Sequence, residues 1–381
     1  MKHFRIRLAV CAAAALMAAC GGGGSDTTTD TQITSVKVFG DSLADSGTFG
    51  VKFTVQGASS KIYPEHIAAA YGAPAPCPVF LFNGTTFVAN PTAGCSNYAI
   101  GGGRINNVTA PTSPVSITTQ LSLAAAAGSY KATDLLVIDG GGNDAADLIG
   151  AYLKAGSDSA ASYLALAGSV LDAATVTATL TQPNGTALLG GVYMQALANR
   201  FYASIKTNAL DKGATNVVLV NIPGITNTPR FQMVLDGIAV AYGGGTAGAT
   251  ARAQSEGLFK SWIEAFNTAL AANAKGDSRV VLVDIYTVFN NEVANPKQYA
   301  LQNAKDTACP VTGLGTDSLP TYDFPTCTDT ALSAMTPPSG ATGGANWWKS
   351  YLFSDGFHPT PYGHQLAYQQ ISIDLAKSGR L

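Results

Sequence analysis

A serine follows an apolar pair of residues after a Gly-Asp step in the segment 38–50, VFGDSLADSGTFG. The hydroxyl of Ser42 is a poor nucleophile near neutral pH unless a base removes its proton. An imidazole suits that task because its reference pKa of about 6.5 lies close to the usual working pH. The segment therefore allows two interpretations, which are an ordinary turn that contains serine and a serine presented as a nucleophile.

The histidines of the chain identify a partner for this serine. They are four in number: His3, His66, His358 and His364. His358 follows Asp355 by three residues in the segment 354–364, SDGFHPTPYGH, so the carboxylate can hold the ring and stabilise its protonated form. His66 lies in a predicted helix without an acidic partner, and His364 is interpreted as a histidine on a helix face. We therefore predict His358 as the base and Asp355 as its partner.

Two further segments offer groups that can stabilise negative charge on an ester oxygen. Gly102 lies in the segment 97–104, NYAIGGGR, where the missing Cβ lets a backbone N–H approach a ligand closely. Asn143 lies in the segment 140–144, GGGND, and supplies a neutral amide donor. The backbone N–H of Ser42 itself is a third donor. Together these groups predict an oxyanion hole.

Elements that position these residues can be read from the hydrophobic pattern. Apolar runs before glycine-rich or polar turns predict buried strands, and alanine-rich stretches between them have helical spacing. The predicted strands are 33–40, 133–144, 214–224 and 278–286, and the predicted helices include 62–72, 193–210 and 261–274. This alternation favours an α/β fold with a largely parallel sheet, in which ligands bind at the carboxyl ends of the strands.

The N-terminal residues predict export. Positive residues followed by a short apolar run with small residues at its end indicate a signal peptide over 1–19, too short to span a membrane comfortably. The segment LMAAC resembles the lipobox of bacterial lipoproteins, which predicts lipidation of Cys20 and a flexible tether over 20–33. An outer-membrane lipoprotein, or a periplasmic or cell-surface protein, is the expected form, and full secretion after ordinary cleavage is the alternative.

The remaining chain predicts one catalytic domain. No boundary divides residues 34–381, and two segments interrupt the alternation of strands and helices, near 227–258 and 290–350. We interpret both as long loop insertions at a functional rim. The net charge of −2 gives no electrostatic reason to expect a nucleic-acid partner.

Cysteines outside the leader predict disulfides. After Cys11 and Cys20 are set aside, four remain, and four cysteines allow three pairings. We favour Cys77–Cys95 and Cys309–Cys327 because both intervals resemble loop insertions. No close cluster of cysteine and histidine suggests zinc, and Asp41 and Asp45 have no third carboxylate in register, so no metal or other cofactor is predicted.

The four segments in this order resemble the GDSL or SGNH hydrolase family. The matching blocks are GDSL at 40–43, NYAIGG at 97–102, GGND at 141–144 and DGFHP at 355–359. The resemblance implies a flavodoxin-like three-layer α/β/α sandwich. It also implies Ser42 as nucleophile, Gly102 and Asn143 as oxyanion donors, His358 as base and Asp355 as the acid that orients it.

Departures from the family pattern are small. Thr48 stands where many relatives have asparagine, and Gly103 stands where alanine is frequent, followed by Arg104. Ala44 rules out the Gly-x-Ser-x-Gly elbow of the α/β-hydrolases.

The predicted activity is that of a carboxylic-ester hydrolase, a lipase or esterase that acts on ester or lipid substrates through an acyl-serine. An acyltransferase that uses the same acyl-serine and a catalytically idle, surface-binding lipoprotein are the alternatives. The aromatic segment 346–353, NWWKSYLF, has two interpretations. Trp347 and Trp348 line an acyl channel, or they only pack the last helix against the sheet.

Overall fold

A computed structural model of the chain describes residues 32–381. The predicted signal peptide, Cys20 and nearly all of the predicted tether lie outside the described residues. Within 32–381, no helix has both the length and the apolar character that a membrane crossing needs.

Strands and helices alternate along the described residues. The strands are β1 Ser35–Phe39, β2 Phe80–Phe82, β3 Phe87–Ala89, β4 Asp134–Ile138, β5 Asn216–Val220, β6 Val280–Val283, β7 Asn303–Thr307, β8 Gly313–Leu314, β9 Pro320–Thr321 and β10 Tyr351–Phe353. The helices are α1 Tyr63–Ala70, α2 Ile117–Ala127, α3 Gly142–Lys154, α4 Ala161–Gly168, α5 Ala173–Leu180, α6 Gly185–Asn208, α7 Pro229–Ala241, α8 Gly245–Ala274, α9 Ile285–Ala294, α10 Asp329–Ala334 and α11 Pro361–Lys377.

The central sheet contains the four predicted strands in the order β1-β4-β5-β6, and all of its neighbouring strands are parallel. In this register Phe39, at the end of β1, pairs with Ile138, at the end of β4. The carboxyl ends of the strands therefore meet at one edge of the sheet, as a parallel arrangement requires. This edge brings the segments that follow β1 and β4 together.

Both faces of the sheet are covered by helices, which confirms the predicted three-layer α/β/α sandwich. Side chains alternate between the faces of a strand, so Leu136 and Ile138 pack into one apolar cluster while Leu135 and Val137 pack into another. The first cluster also holds residues of α2, α3, α6 and α8, and the second holds residues of α1, α9 and α11. Double coverage explains why the strands of the sequence are continuous apolar runs.

The segment 227–258 is helical, which corrects the predicted loop insertion. It contains α7 and the first half of α8, and the glycines 243–245 form the turn between these helices with positive φ angles. The glycine run was a correct turn signal, but the alanine-rich residues on either side have high helix propensity. Packing of α8 against α6 and α7 then extends the helix to thirty residues.

The segment 290–350 contains only short elements after the end of α9, among them the two-residue strands β8 and β9. Trp347 and Trp348 are buried there beside the Cys309–Cys327 disulfide, and the indole of Trp347 donates to the carbonyl of Leu332. These tryptophans do not line the cleft described below, so the channel interpretation is wrong. They pack this segment on itself and not, as expected, the last helix against the sheet. Both predicted disulfides, Cys77–Cys95 and Cys309–Cys327, are formed.

Candidate active site

Three predicted site residues form a chain of hydrogen bonds. Ser42 Oγ lies 2.8 Å from His358 Nε2, although 316 positions separate the two residues in sequence. His358 Nδ1 lies 2.9 Å from Asp355 Oδ2 on the other side of the ring. An ionised carboxylate only accepts hydrogen bonds, so Nδ1 donates to Asp355 and Nε2 is left to accept from the serine hydroxyl. This is the arrangement of a nucleophile, a base and an orienting acid.

The loop between β10 and α11 holds Asp355 and His358 in place. Asp355 Oδ1 accepts hydrogen bonds from the backbone N–H groups of Phe357 and His358. The backbone N–H of Ser354 donates to the His358 carbonyl over 2.8 Å, which closes the loop. Thr360 then begins α11 by accepting from the Gly363 N–H. The local turn therefore fixes both side chains before any contact with the serine is made.

The environment of Asp355 favours its ionised form. Burial by itself raises the pKa of a carboxyl group, but the charge of His358 and the hydrogen bonds from its ring oppose burial here. Together with the two backbone N–H donors they leave the pKa of Asp355 below its ordinary value. An ionised Asp355 keeps the His358 ring in the tautomer that can accept the serine proton.

Two buried polar residues that the sequence analysis missed hold the turn that carries Ser42. Gln120 in α2 accepts from the Gly40 N–H and donates to the Gly40 carbonyl, at 2.9 and 3.0 Å. Asp139 accepts from the Asp41 N–H at 3.0 Å. Asp139 follows β4 directly, so its place at the carboxyl edge beside β1 was a usable signal. Gln120 lies inside a helix and has no such signal.

Asp139 is in turn held by a tyrosine. The hydroxyl of Tyr63 in α1 donates to Asp139 Oδ2 over 2.6 Å, and both side chains are buried. Burial, followed by the nearby charge of Asp41, raises the pKa of Asp139 well above its ordinary range. This carboxyl group therefore stabilises the serine turn through buried hydrogen bonds. Its backbone partner, Asp41, is the residue directly before Ser42 in sequence.

The predicted oxyanion donors face the same cleft as the serine. Within residues 32–381 the backbone N–H groups of Ser42 and Gly102 donate to no protein acceptor, which leaves them available to a ligand. Gly102 has a φ of +77°, a conformation that a residue with a Cβ adopts only under strain. Asn143 Nδ2 lies 3.0 Å from the Gly103 carbonyl and 3.3 Å from Asp41 Oδ2.

The departures at Gly103 and Arg104 have structural reasons. A Cβ at Gly103 would lie 2.7 Å from the Gly40 carbonyl, so the close approach of the two turns requires glycine there. Arg104 donates to the Gly102 carbonyl at 2.6 Å and pairs with Asp147 of α3. Arg104 thereby holds the peptide of the predicted oxyanion donor against the helix that carries Asn143.

The two aspartates beside the serine, Asp41 and Asp45, accept hydrogen bonds from nearby backbone N–H groups. Asp45 accepts from the N–H groups of Gly47 and Thr48 through Oδ1 and from the Gly101 N–H through Oδ2, so it ties the serine segment to the segment of Gly102. Asp41 accepts from the Leu43 N–H through Oδ1 and from Asn143 through Oδ2. These contacts explain the acidic residues around Ser42 without a metal.

A single open cleft of about 1140 Å³ brings all the predicted site residues together. Its lining includes Ser42, Gly102, Asn143, Asp355 and His358. The ring of Phe53 lies 5.1 Å from the ring of His358, and Phe324 contacts the same imidazole from another side. The cleft can therefore admit an ester to a serine whose base is shielded from bulk water by aromatic side chains.

The fold and this site define a known class. The chain matches the family described as GDSL-like Lipase/Acylhydrolase over residues 36–371, and it belongs to that family. The description of this family covers lipases and acylhydrolases.

One curated relative is similar over most of the chain. A protein named Lipase 1 from Photorhabdus luminescens is 25% identical over 359 residues. The similarity covers 87% of this chain and 48% of the relative, so the chain spans about half the length of that protein.

A second, narrower cavity of about 80 Å³ lies beneath the site, between the carboxyl edge of the sheet and helices α9 and α11. Glu292 and His364 line it, and Glu292 Oε1 and His364 Nε2 have no hydrogen-bond partner among the described residues. Burial raises the pKa of Glu292 to about 8 and lowers the pKa of His364 to about 3. Both groups are therefore neutral near pH 7, and His364 is a buried structural residue of α11.

We expect the substitution Glu292→Gln to remove a dependence of stability on pH. An unfolded glutamate has a pKa of about 4.3. Between that value and the folded pKa of about 8 the folded chain keeps a proton that the unfolded chain has lost. Stability therefore falls as pH rises through this window. Urea unfolding should show the variant more stable than the wild type at pH 8, by up to about 4 kcal/mol, and little different at pH 4.

The matched control is Glu264→Gln, which changes an exposed glutamate that contacts Tyr286. This control should leave the pH dependence of unfolding as it is in the wild type. An equal stability difference at pH 4 and pH 8 for Glu292→Gln would contradict the assigned protonation.

Proposed function

We propose that this chain is an exported serine carboxylic-ester hydrolase that acts through an acyl-enzyme on Ser42. The observation that carries the proposal is the chain of contacts from Ser42 through His358 to Asp355 at the wall of an open cleft. Family membership and the name of the relative, Lipase 1, support esters or lipids as the substrate class.

In the proposed acylation step, Ser42 Oγ attacks the carbonyl carbon of the ester while His358 Nε2 takes the hydroxyl proton. Asp355 holds the Nδ1–H and stabilises the imidazolium that forms. The carbonyl oxygen becomes an oxyanion, which the N–H groups of Ser42 and Gly102 and the amide of Asn143 stabilise. The ester bond then breaks, and the departing alcohol receives the proton from His358.

In the proposed deacylation step, water enters the place that the alcohol has left. His358 removes a proton from this water, whose oxygen attacks the acyl carbon, and the same donors stabilise the second oxyanion. The bond to Ser42 Oγ breaks, the serine regains its proton from His358, and the carboxylic acid leaves. No cofactor is needed in either step.

The disulfides and the N-terminal residues support the export part of the proposal. Disulfides persist mainly in oxidising compartments outside the cytosol, and both Cys77–Cys95 and Cys309–Cys327 are formed. The predicted signal peptide agrees with this location. Lipidation of Cys20 would tether the enzyme to a membrane, and mass spectrometry of the mature N-terminus tests it.

Covalent labelling tests the nucleophile directly. A fluorophosphonate probe forms a stable adduct with an activated serine and with few other side chains. We expect one adduct per chain, on the tryptic peptide 38–52 that Lys37 and Lys52 delimit. Because that peptide also contains Ser46, fragmentation of the peptide must distinguish the two serines.

Ser46→Ala serves as the control for the labelling, since Ser46 lies in the same turn without contacting His358. This variant should label at the rate of the wild type, and His358→Ala should label far more slowly. An adduct on Ser46, or labelling that does not depend on His358, would overturn the proposed nucleophile.

A further inference from the structure

Two helices line the cleft with a continuous run of small and apolar residues, which we call the apolar strip. On α3 and on α7 these residues recur every three or four positions, so each set lies along one face of its helix. The members of the apolar strip are Ala146, Gly150, Leu153, Phe231, Val234 and Gly237.

The apolar strip starts beside the proposed oxyanion hole and leads away from it. Asn143 is the second residue of α3, and Leu153 lies ten positions further along the same helix. An α-helix rises about 1.5 Å per residue, so the strip extends about 15 Å from the amide of Asn143. An extended acyl chain advances about 1.3 Å per carbon, so this length matches roughly ten to twelve carbons.

Each side of the strip contains one glycine: Gly150 lies between Ala146 and Leu153 on α3, and Gly237 is the last member on α7. A Cβ built on Gly150 or on Gly237 would meet no atom within 4 Å, and neither glycine has a positive φ. Glycine inside a helix is less favourable than alanine, and neither packing nor backbone conformation requires it at these two positions. The consequence of both glycines is a groove that is wider at these two positions than side chains would allow.

Large apolar side chains at the rim of the strip are exposed to solvent. Leu153 is 42% exposed, Met233 on α7 is 40% exposed and Leu314 is 70% exposed. Leu314 belongs to the β8–β9 hairpin, which an ion pair between Arg230 and Asp317 holds against α7. A chain of methylenes lying in the groove would cover part of this surface and gain free energy from its removal from water.

We propose that the apolar strip binds the acyl chain of the ester and that this enzyme prefers acyl groups of about ten to twelve carbons. This inference rests on the proposed function. The acyl part, and not the alcohol, lies on the strip because the departing oxygen must face His358 Nε2 to receive its proton. On α3 the strip instead begins at Ala146, one turn after Asn143, whose amide contacts the carbonyl oxygen in the proposed mechanism.

Steady-state kinetics with p-nitrophenyl butyrate and p-nitrophenyl decanoate test this preference with a constant alcohol. Both esters are assayed below the concentration at which the longer one aggregates. For the wild type we expect kcat/KM to be at least about tenfold higher for decanoate, because each buried methylene adds to binding. In Gly150→Leu and in Gly237→Leu the new side chain fills the groove, so the decanoate-to-butyrate ratio should fall at least about tenfold.

The chain offers a matched control in Gly257, an exposed glycine inside α8 at which a Cβ also meets no atom within 4 Å. It does not line the cleft, so Gly257→Leu should keep the ratio of the wild type. Leucine favours helix over glycine, so all three variants should fold, and circular dichroism checks this.

The outcomes separate this inference from the proposed function. If the decanoate-to-butyrate ratio stays unchanged in both Gly150→Leu and Gly237→Leu, the strip does not bind the acyl chain. The same conclusion follows if the ratio falls equally in Gly257→Leu. In both cases the proposed ester hydrolysis still stands. A wild type that hydrolyses neither ester and takes no fluorophosphonate label overturns the proposed function itself.

Discussion

Replacement of Ser42 by alanine should abolish turnover of a p-nitrophenyl ester, with a fall in kcat of about 10⁶-fold. The variant loses the only proposed atom that can form the acyl-enzyme, while the oxyanion donors stay in place. His358→Ala should be nearly as damaging, because the two residues act as one unit and their losses do not add. Initial rates on p-nitrophenyl butyrate, measured well above the uncatalysed background, provide the comparison.

A fall of this size must come from chemistry and not from unfolding. Ser42 is buried in the turn, but removal of one oxygen there leaves the contacts of Gly40 with Gln120 and of Asp41 with Asp139. Ser42→Ala should therefore unfold at a urea concentration close to that of the wild type. Ser46→Ala should keep near wild-type kcat. Activity of Ser42→Ala within tenfold of the wild type would remove the basis of the proposed mechanism.

The second large effect is expected for Asp355→Asn, with a fall in kcat of about 10⁴-fold. An asparagine still accepts the N–H groups of Phe357 and His358 through Oδ1, so the loop keeps its shape. Its amide, however, donates toward His358 Nδ1 and forces the ring proton onto Nε2. The base then has no lone pair facing Ser42, and it cannot take the hydroxyl proton.

Asp306→Asn is the control, since Asp306 lies exposed on β7 and its carboxylate accepts a hydrogen bond from Asn303, outside the site. It should leave kcat near the wild-type value. If Asp355→Asn kept more than a tenth of wild-type kcat, Asp355 would not be the residue that sets the ring tautomer, although Ser42 and His358 could still react. Ser42→Ala and Asp355→Asn thus test different contacts of the same chain of hydrogen bonds.

Much of the site could be predicted because each part of it follows a strong local signal. Ser42 and Asn143 stand within a few residues of the ends of the apolar runs that form β1 and β4, and parallel strands place their carboxyl ends at one edge. Asp355 and His358 are three residues apart, so a single turn brings them into contact. The disulfide pairs close short intervals within one loop each, and they were also predictable.

Other parts depend on contacts that leave no local pattern. Gln120 reaches Gly40 across 80 positions, and nothing in the sequence around a helical glutamine indicates such a partner. The segment 227–258 was predicted as a loop because three adjacent glycines dominated its pattern, whereas packing against α6 stabilises two long helices on either side of them. Trp347 and Trp348 likewise needed the surrounding cluster to decide between channel and core.

The sequence by itself determined the class of fold, the family and the side chains that can carry out ester chemistry, because strand periodicity and short motifs depend on neighbours along the chain. Only the tertiary structure decided that Ser42 and His358 meet, and that α3 and α7 together form the apolar strip. Ser42 and His358 are 316 positions apart, and three helices and β5 lie between α3 and α7 in sequence, so these arrangements exist only after the sheet and its covering helices have packed. The physical reason is that burial of a shared core, and not local propensity, sets the distance between remote segments.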